Sequence, residues 1–240
     1  LAALFLPLGG EYLSRLVLFD KTLDPHERRL VFSYYEAVVK RHVFARGAQS
    51  KVFLSKNPPF TMRLDSLRTT FPDARLVCLL RDPLESVPSM VSYIAAVWAF
   101  FASPRVAYPN ADGLFDFCIQ HYSYPLVCFR DKSDSKHDIP PSGSGRFCGG
   151  PAGTQVAFVY YEALRLRLVA VVVALLQDLG YTRAMSSEFL RAEESLSSRY
   201  RSSHGHSPEL CCQRSPTEMR EIFKTIYDTF DFDGFTPVLK

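Results

Sequence analysis

An α/β fold is predicted by two short apolar runs that stop abruptly and by the helical patterns that follow each of them. The first run, Arg75-Leu76-Val77-Cys78-Leu79-Leu80, is rich enough in branched residues to be a buried strand, and it ends at Arg81-Asp82-Pro83. The second, Gln155 to Tyr160 (QVAFVY), meets Tyr161-Glu162-Ala163-Leu164. Strands that stop at a turn and feed a helix belong to folds in which ligands sit at strand C-termini. The expected architecture is a parallel sheet flanked by helices, in one domain spanning 1–240 with a flexible insertion at 131–154.

Composition sets the frame for that domain. A chain of 240 residues supports one sizeable core, and 47% hydrophobic with 22% charged residues is ordinary globular composition. A net charge of +3 argues for neither nucleic acid nor a membrane surface as partner. Six cysteines are too sparse for a disulfide scaffold, and without a C-x-x-C pair no zinc site is expected. The opening run, Leu-Ala-Ala-Leu-Phe-Leu-Pro-Leu, is too short to span a bilayer and lacks a basic flank. The expectation is a trimmed chain with no transmembrane segment.

Asp24-Pro25-His26-Glu27 has the form of a helix start, with Asp24 as N-cap and Glu27 closing a capping box. That helix is expected to turn Val31, Tyr34, Tyr35, Val38 and His42 inward and to end at Gly47. Lys51 to Ser55 reads as a strand ending at Lys56-Asn57-Pro58-Pro59, which places Lys56 at a strand end; a solvated loop lysine fits equally well. Thr61 to Phe71 gives a short helix. After Arg81 a helix carries Val87, Met90, Val91, Ile94, Val97 and Trp98 on one face, and its start is placed near Ser86 so that Pro88 falls in the first turn.

Asp112 to Cys128 is a further helix with aromatic residues that read as core or pocket lining. Asp131 to Thr154 is Ser-, Gly-, Pro- and charge-rich, and is expected to be a flexible loop. Arg165 to Leu179 is apolar nearly all round, which predicts a helix buried on most sides with Gly180 as its cap. Ser195 to Leu210 is a polar loop with Arg199, Arg201, His204 and His206. Ser215 to Glu218 is another capping box, opening a closing helix whose apolar face is Met219, Ile222, Phe223, Ile226, Tyr227 and Phe230.

The chemistry gathers at the first strand end. Arg81 offers a planar fork suited to a phosphate, and Ser89, eight residues on, adds a hydroxyl on the early part of a helix whose positive end favours anions. On their own, these residues also fit a surface Arg–Asp turn before a core helix.

The wider stretch is more specific. Ser55-Lys56-Asn57-Pro58, Phe71-Pro72-Asp73-Ala74-Arg75, Arg81-Asp82-Pro83 and Ser89 follow in one order. That order resembles the sulfotransferase family that uses 3′-phosphoadenosine 5′-phosphosulfate (PAPS). The resemblance implies a P-loop nucleoside triphosphate hydrolase-like fold and transfer of a sulfonate group from PAPS to a hydroxyl or amine of a small-molecule or glycan acceptor. It assigns Arg81 and Ser89 to the 3′-phosphate of the cofactor and Lys56 to the transferred group. Tyr161 falls by the adenine, within an element similar to the family's Y-E-D-L in which Ala163 replaces the usual acid. No metal is expected.

The sequence departs from the family pattern in three places. The glycine-rich phosphate loop and first strand have no counterpart, since Gly9-Gly10 is followed by Glu11-Tyr12-Leu13. Pro58 stands where the soluble small-molecule branch has a histidine base. The C-terminal R-S-x-H-x-Y-S-L pattern is only partly matched around His206. A non-catalytic relative that binds nucleotide or a protein partner is therefore the alternative. The compartment stays open between the cytoplasm and, with an anchor upstream of Leu1, the Golgi lumen.

Overall fold

Three described strands form one sheet in the order β1-β3-β2: β1 Leu76–Leu80, β2 Ser144–Cys148 and β3 Gln155–Tyr160. The computed structural model describes residues 15, 17–102, 105–106, 108–129, 144–148, 155–181, 185–199 and 214–232. β1 runs parallel to β3, with Leu76 opposite Val156 and Leu80 opposite Tyr160. β2 pairs antiparallel with β3, so the sheet is mixed where a parallel one was expected. β2 arises inside the segment predicted to be loop. The outer edge of β3 presents backbone groups that need partners, and an extended segment a few residues upstream can supply them through a short antiparallel connection.

The chain divides into two compact units. The first comprises residues 1–74 and 94–130. It contains α1 (Phe19–Thr22), α2 (Pro25–Ala45), a 3₁₀ turn (Pro58–Arg63), α3 (Leu64–Thr70), the later part of α4 (Pro83–Phe101) and α5 (Ala111–Phe129). Asp24 caps α2 as predicted: its carboxylate accepts from His26 N at 2.7 Å and Glu27 N at 3.0 Å, and Glu27 closes the box. The helix ends at Ala45, and Gly47 follows with φ +57°, a left-handed conformation that glycine adopts without strain. Its inward face differs from expectation. Phe32 is the buried residue, whereas Val31, Tyr34 and Val38 are exposed.

Asp20 organises this unit. Its buried carboxylate accepts from Asp65 N at 2.9 Å, from Ser66 N and Oγ, and from Tyr124 Oη at 3.1 Å. A residue remote in sequence thus satisfies the N-terminal amides of α3, which has no cap of its own. Arg28 stands 3.8 Å from the same carboxylate.

Lys51 to Ser55 is not a strand: it pairs with no strand among the described residues, and Val52, Phe53 and Leu54 are exposed. Apolar content alone does not make a strand without a neighbour to hydrogen-bond.

The second unit comprises residues 75–93 and 131–240. It holds the sheet, the start of α4, α6 (Tyr161–Asp178), α7 (Ser187–Arg199), α8 (Pro216–Ile222) and α9 (Lys224–Thr229). Every β3 residue from Val156 to Tyr160 is buried, as a central strand requires. α6 is less buried than its apolar sequence suggests; only Ala163 and Val171 are fully covered, and Arg167 breaks the helix with φ −145° and ψ 54°. Gly180 follows it at φ +76°.

α7 takes up Ser195 to Arg199, the beginning of the predicted polar loop. Arg201, His204 and His206 lie outside the described residues. The closing helix is broken at Phe223 into α8 and α9, with the Ser215–Glu218 capping box intact. By length and composition α4 is long and apolar enough to cross a membrane, a property it shares with core helices of globular proteins.

Candidate active site at the ends of two parallel strands

Arg81 and Tyr161 are the residues immediately after β1 and β3. Because Leu80 is paired with Tyr160, the parallel register carries the two chain ends forward side by side. The outcome is a stacked pair, with the Arg81 guanidinium carbon 5.0 Å from the centroid of the Tyr161 ring. Two residues that the resemblance assigns to the cofactor from separate motifs are therefore brought together, and the register is the cause.

The turn after β1 is held by Asp82. Its carboxylate accepts from Leu84 N at 2.8 Å, and its backbone carbonyl accepts from Glu85 N at 3.0 Å and Ser86 N at 2.9 Å. α4 therefore begins at Pro83, three residues earlier than expected. Asp82 as cap with proline at the first helical position outweighs the cost of Pro88, which lies inside the helix and supplies no N–H to the carbonyl of Leu84. Val87, Val91 and Ile94 of the predicted face are buried.

Ser89 consequently sits two turns into α4 and is half-buried. Glu85 and Ser89, four residues apart, share one face of α4. Arg81, just before the helix, reaches Glu85. Both Nε and Nη2 of Arg81 donate to Glu85 Oε2 at 3.2 Å. The fork that the sequence assigns to a phosphate thus holds a carboxylate of its own chain.

Neither Glu85 nor Arg165 was singled out from the sequence. Arg165 Nε donates to Glu162 Oε2 at 2.6 Å. This bond raises the Arg165 pKa above the ordinary arginine value, with a smaller through-space contribution from Glu85. Arg165 is four residues after Tyr161, one helical turn on; that spacing was the available signal. Ala163 is 1% exposed, so the small residue replacing the family's acid fills a packed position.

Lys56 lies in the other compact unit, exposed, in the irregular segment before the 3₁₀ turn. Among the described residues, no group of three or more His, Cys, Asp or Glu could hold a metal ion.

A parallel strand pair ending in an arginine fork and an aromatic face, each followed by a helix, is an α/β arrangement of the kind that places ligands at strand C-termini. The chain matches the sulfotransferase family over residues 14–184, more than half its length, and belongs to that family. No curated protein and no solved structure matches it.

Proposed function

We propose that this sulfotransferase uses PAPS, moving the sulfonate group to a hydroxyl or amine acceptor by in-line displacement. The supporting observation is the Arg81–Tyr161 pair at the paired strand ends. The guanidinium already grips an oxyanion, the Glu85 carboxylate, with two N–H donors, and a phosphate oxygen presents the same chemistry. The Tyr161 ring, partly exposed, offers a face against which a purine can pack. These groups fit the nucleotide half of the cofactor.

In this reading Arg81 and Ser89 hold the 3′-phosphate and Tyr161 contacts adenine. PAPS supplies the activated sulfonate. Lys56 is assigned to the transferred group on the resemblance alone, where an ammonium stabilises charge developing on the bridging oxygen.

Titrating the full chain with adenosine 3′,5′-bisphosphate tests the assignment. Arg81→Ala is expected to weaken binding by at least about tenfold, the value of losing charge-assisted hydrogen bonds. Lys56→Ala is expected to lower kcat while leaving that affinity near the parent's. An unchanged Kd in Arg81→Ala refutes the nucleotide assignment. Binding without turnover in the parent chain supports the alternative of a non-catalytic, nucleotide-binding relative.

A further inference from the structure

The family match ends at residue 184, yet a segment well beyond it reaches the immediate neighbours of both site residues. Tyr227 Oη donates to Asp82 Oδ1 at 2.5 Å across 145 residues of sequence. Asp82 adjoins Arg81 and, through its carbonyl, fixes the amide of Glu85. From the same segment, Phe230 packs against Phe158 at 5.4 Å and Tyr160 at 6.5 Å, and Phe232 lies 5.7 Å from Tyr160. Tyr160 adjoins Tyr161. The segment therefore braces both strand ends at once.

The brace is itself anchored. Met219, Phe223, Ile226 and Phe230 are all buried, and the Ser215–Glu218 box fixes where α8 begins. Tyr227 is held between the Arg220 guanidinium at 5.1 Å and the Phe232 ring at 5.6 Å. Burial, then the hydrogen bond and charge of Asp82, push the Tyr227 phenol far above its ordinary pKa. It stays a protonated donor throughout the physiological range.

We propose that Tyr227 is a positioning residue for the anion seat, acting through Asp82 to set the turn that aims Arg81. This rests on the nucleotide reading for its functional consequence but not for its structural one, and the test separates the two. In the ligand-free full chain, hydrogen exchange is compared between parent and Tyr227→Phe, which keeps the ring and removes only the hydroxyl. The amides of residues 84–86 are expected to exchange faster in the variant, with the amides of the sheet unchanged.

Affinity for adenosine 3′,5′-bisphosphate is expected to fall about tenfold, the scale of one hydrogen bond to a charged acceptor. Asp82→Ala, which removes the acceptor of that bond and of the Leu84 amide, should lose at least as much. The double variant should be no worse than the poorer single one, because a shared bond can be lost only once. Additive losses, or unchanged exchange at residues 84–86, overturn the proposal. So does faster exchange without loss of affinity in a chain where Arg81→Ala does abolish binding. If the parent chain binds no nucleotide, the nucleotide reading fails, and the exchange result alone decides whether Tyr227 sets the turn.

Discussion

Replacing Glu85 with glutamine removes the charge that occupies the Arg81 fork while leaving a side chain of the same size. The Arg81 and Glu85 side chains are 33% and 52% exposed and their contact is 3.2 Å long, so this is a surface pair spaced i, i+4. Such pairs are worth about 0.3–0.5 kcal/mol, which an incoming phosphate can displace at little cost. The larger effect comes after displacement. A carboxylate left about 4 Å from a phosphate repels it by about 1 kcal/mol per unit charge in water, less at physiological salt, where the screening length is about 8 Å.

Together these terms predict that Glu85→Gln binds adenosine 3′,5′-bisphosphate about two- to tenfold more tightly than the parent. The gain should shrink as salt is raised. Isothermal titration at low and at physiological ionic strength measures both. A variant that binds more weakly, with an unchanged melting temperature, would show that Glu85 orients the fork instead of competing for it.

Two further outcomes concern stability. Burial pushes the His121 pKa down to about 4, and its Nδ1 has no hydrogen-bond partner among the described residues. Between the ordinary value near 6.5 and this lower one, the unfolded chain takes up a proton that the folded chain refuses. Stability should therefore be level above about pH 6.5 and fall toward pH 4, by at most about 1.4 kcal/mol per pH unit. Denaturant melts of His121→Gln should lack that component of the slope; an identical pH profile would sink the argument. Gly180 sits at φ +76°, and an added Cβ would meet only the Arg75 guanidinium, 3.6 Å away. Gly180→Ala should then cost about 1 kcal/mol through backbone strain alone, and shortening Arg75 as well should not rescue it.

What could be read from the sequence was whatever local chemistry decides. The Asp24 and Ser215 capping boxes formed as predicted, because the cap and its reciprocal partner lie within four residues of each other. Both site strands were legible as apolar runs ending at a turn. What failed depended on partners elsewhere. Lys51 to Ser55 has strand composition without a described neighbour, and β2 has loop composition with one. α4 starts earlier than Pro88 alone suggests, because the Asp82–Pro83 cap outweighs an internal proline. Glu85 went unnoticed as an ordinary helix-surface acid, and nothing in the sequence links Tyr227 to Asp82.

The site's assembly shows why those long-range links matter more than the motif. Arg81 and Tyr161 are 80 positions apart in sequence, and only the pairing of Leu80 with Tyr160 sets them face to face. A slip of one residue would turn every β1 side chain to the other face and separate the fork from the ring. β1 resists such a slip through one face, since Leu76, Cys78 and Leu80 are covered while Val77 and Leu79 are exposed. More resistance lies in β3, which is buried from Val156 to Tyr160, and in Phe230 and Phe232, which pack against its last residues. The Arg81–Tyr161 pair is thus fixed from the tyrosine side, and the arginine side is aligned to it by the turn at Asp82.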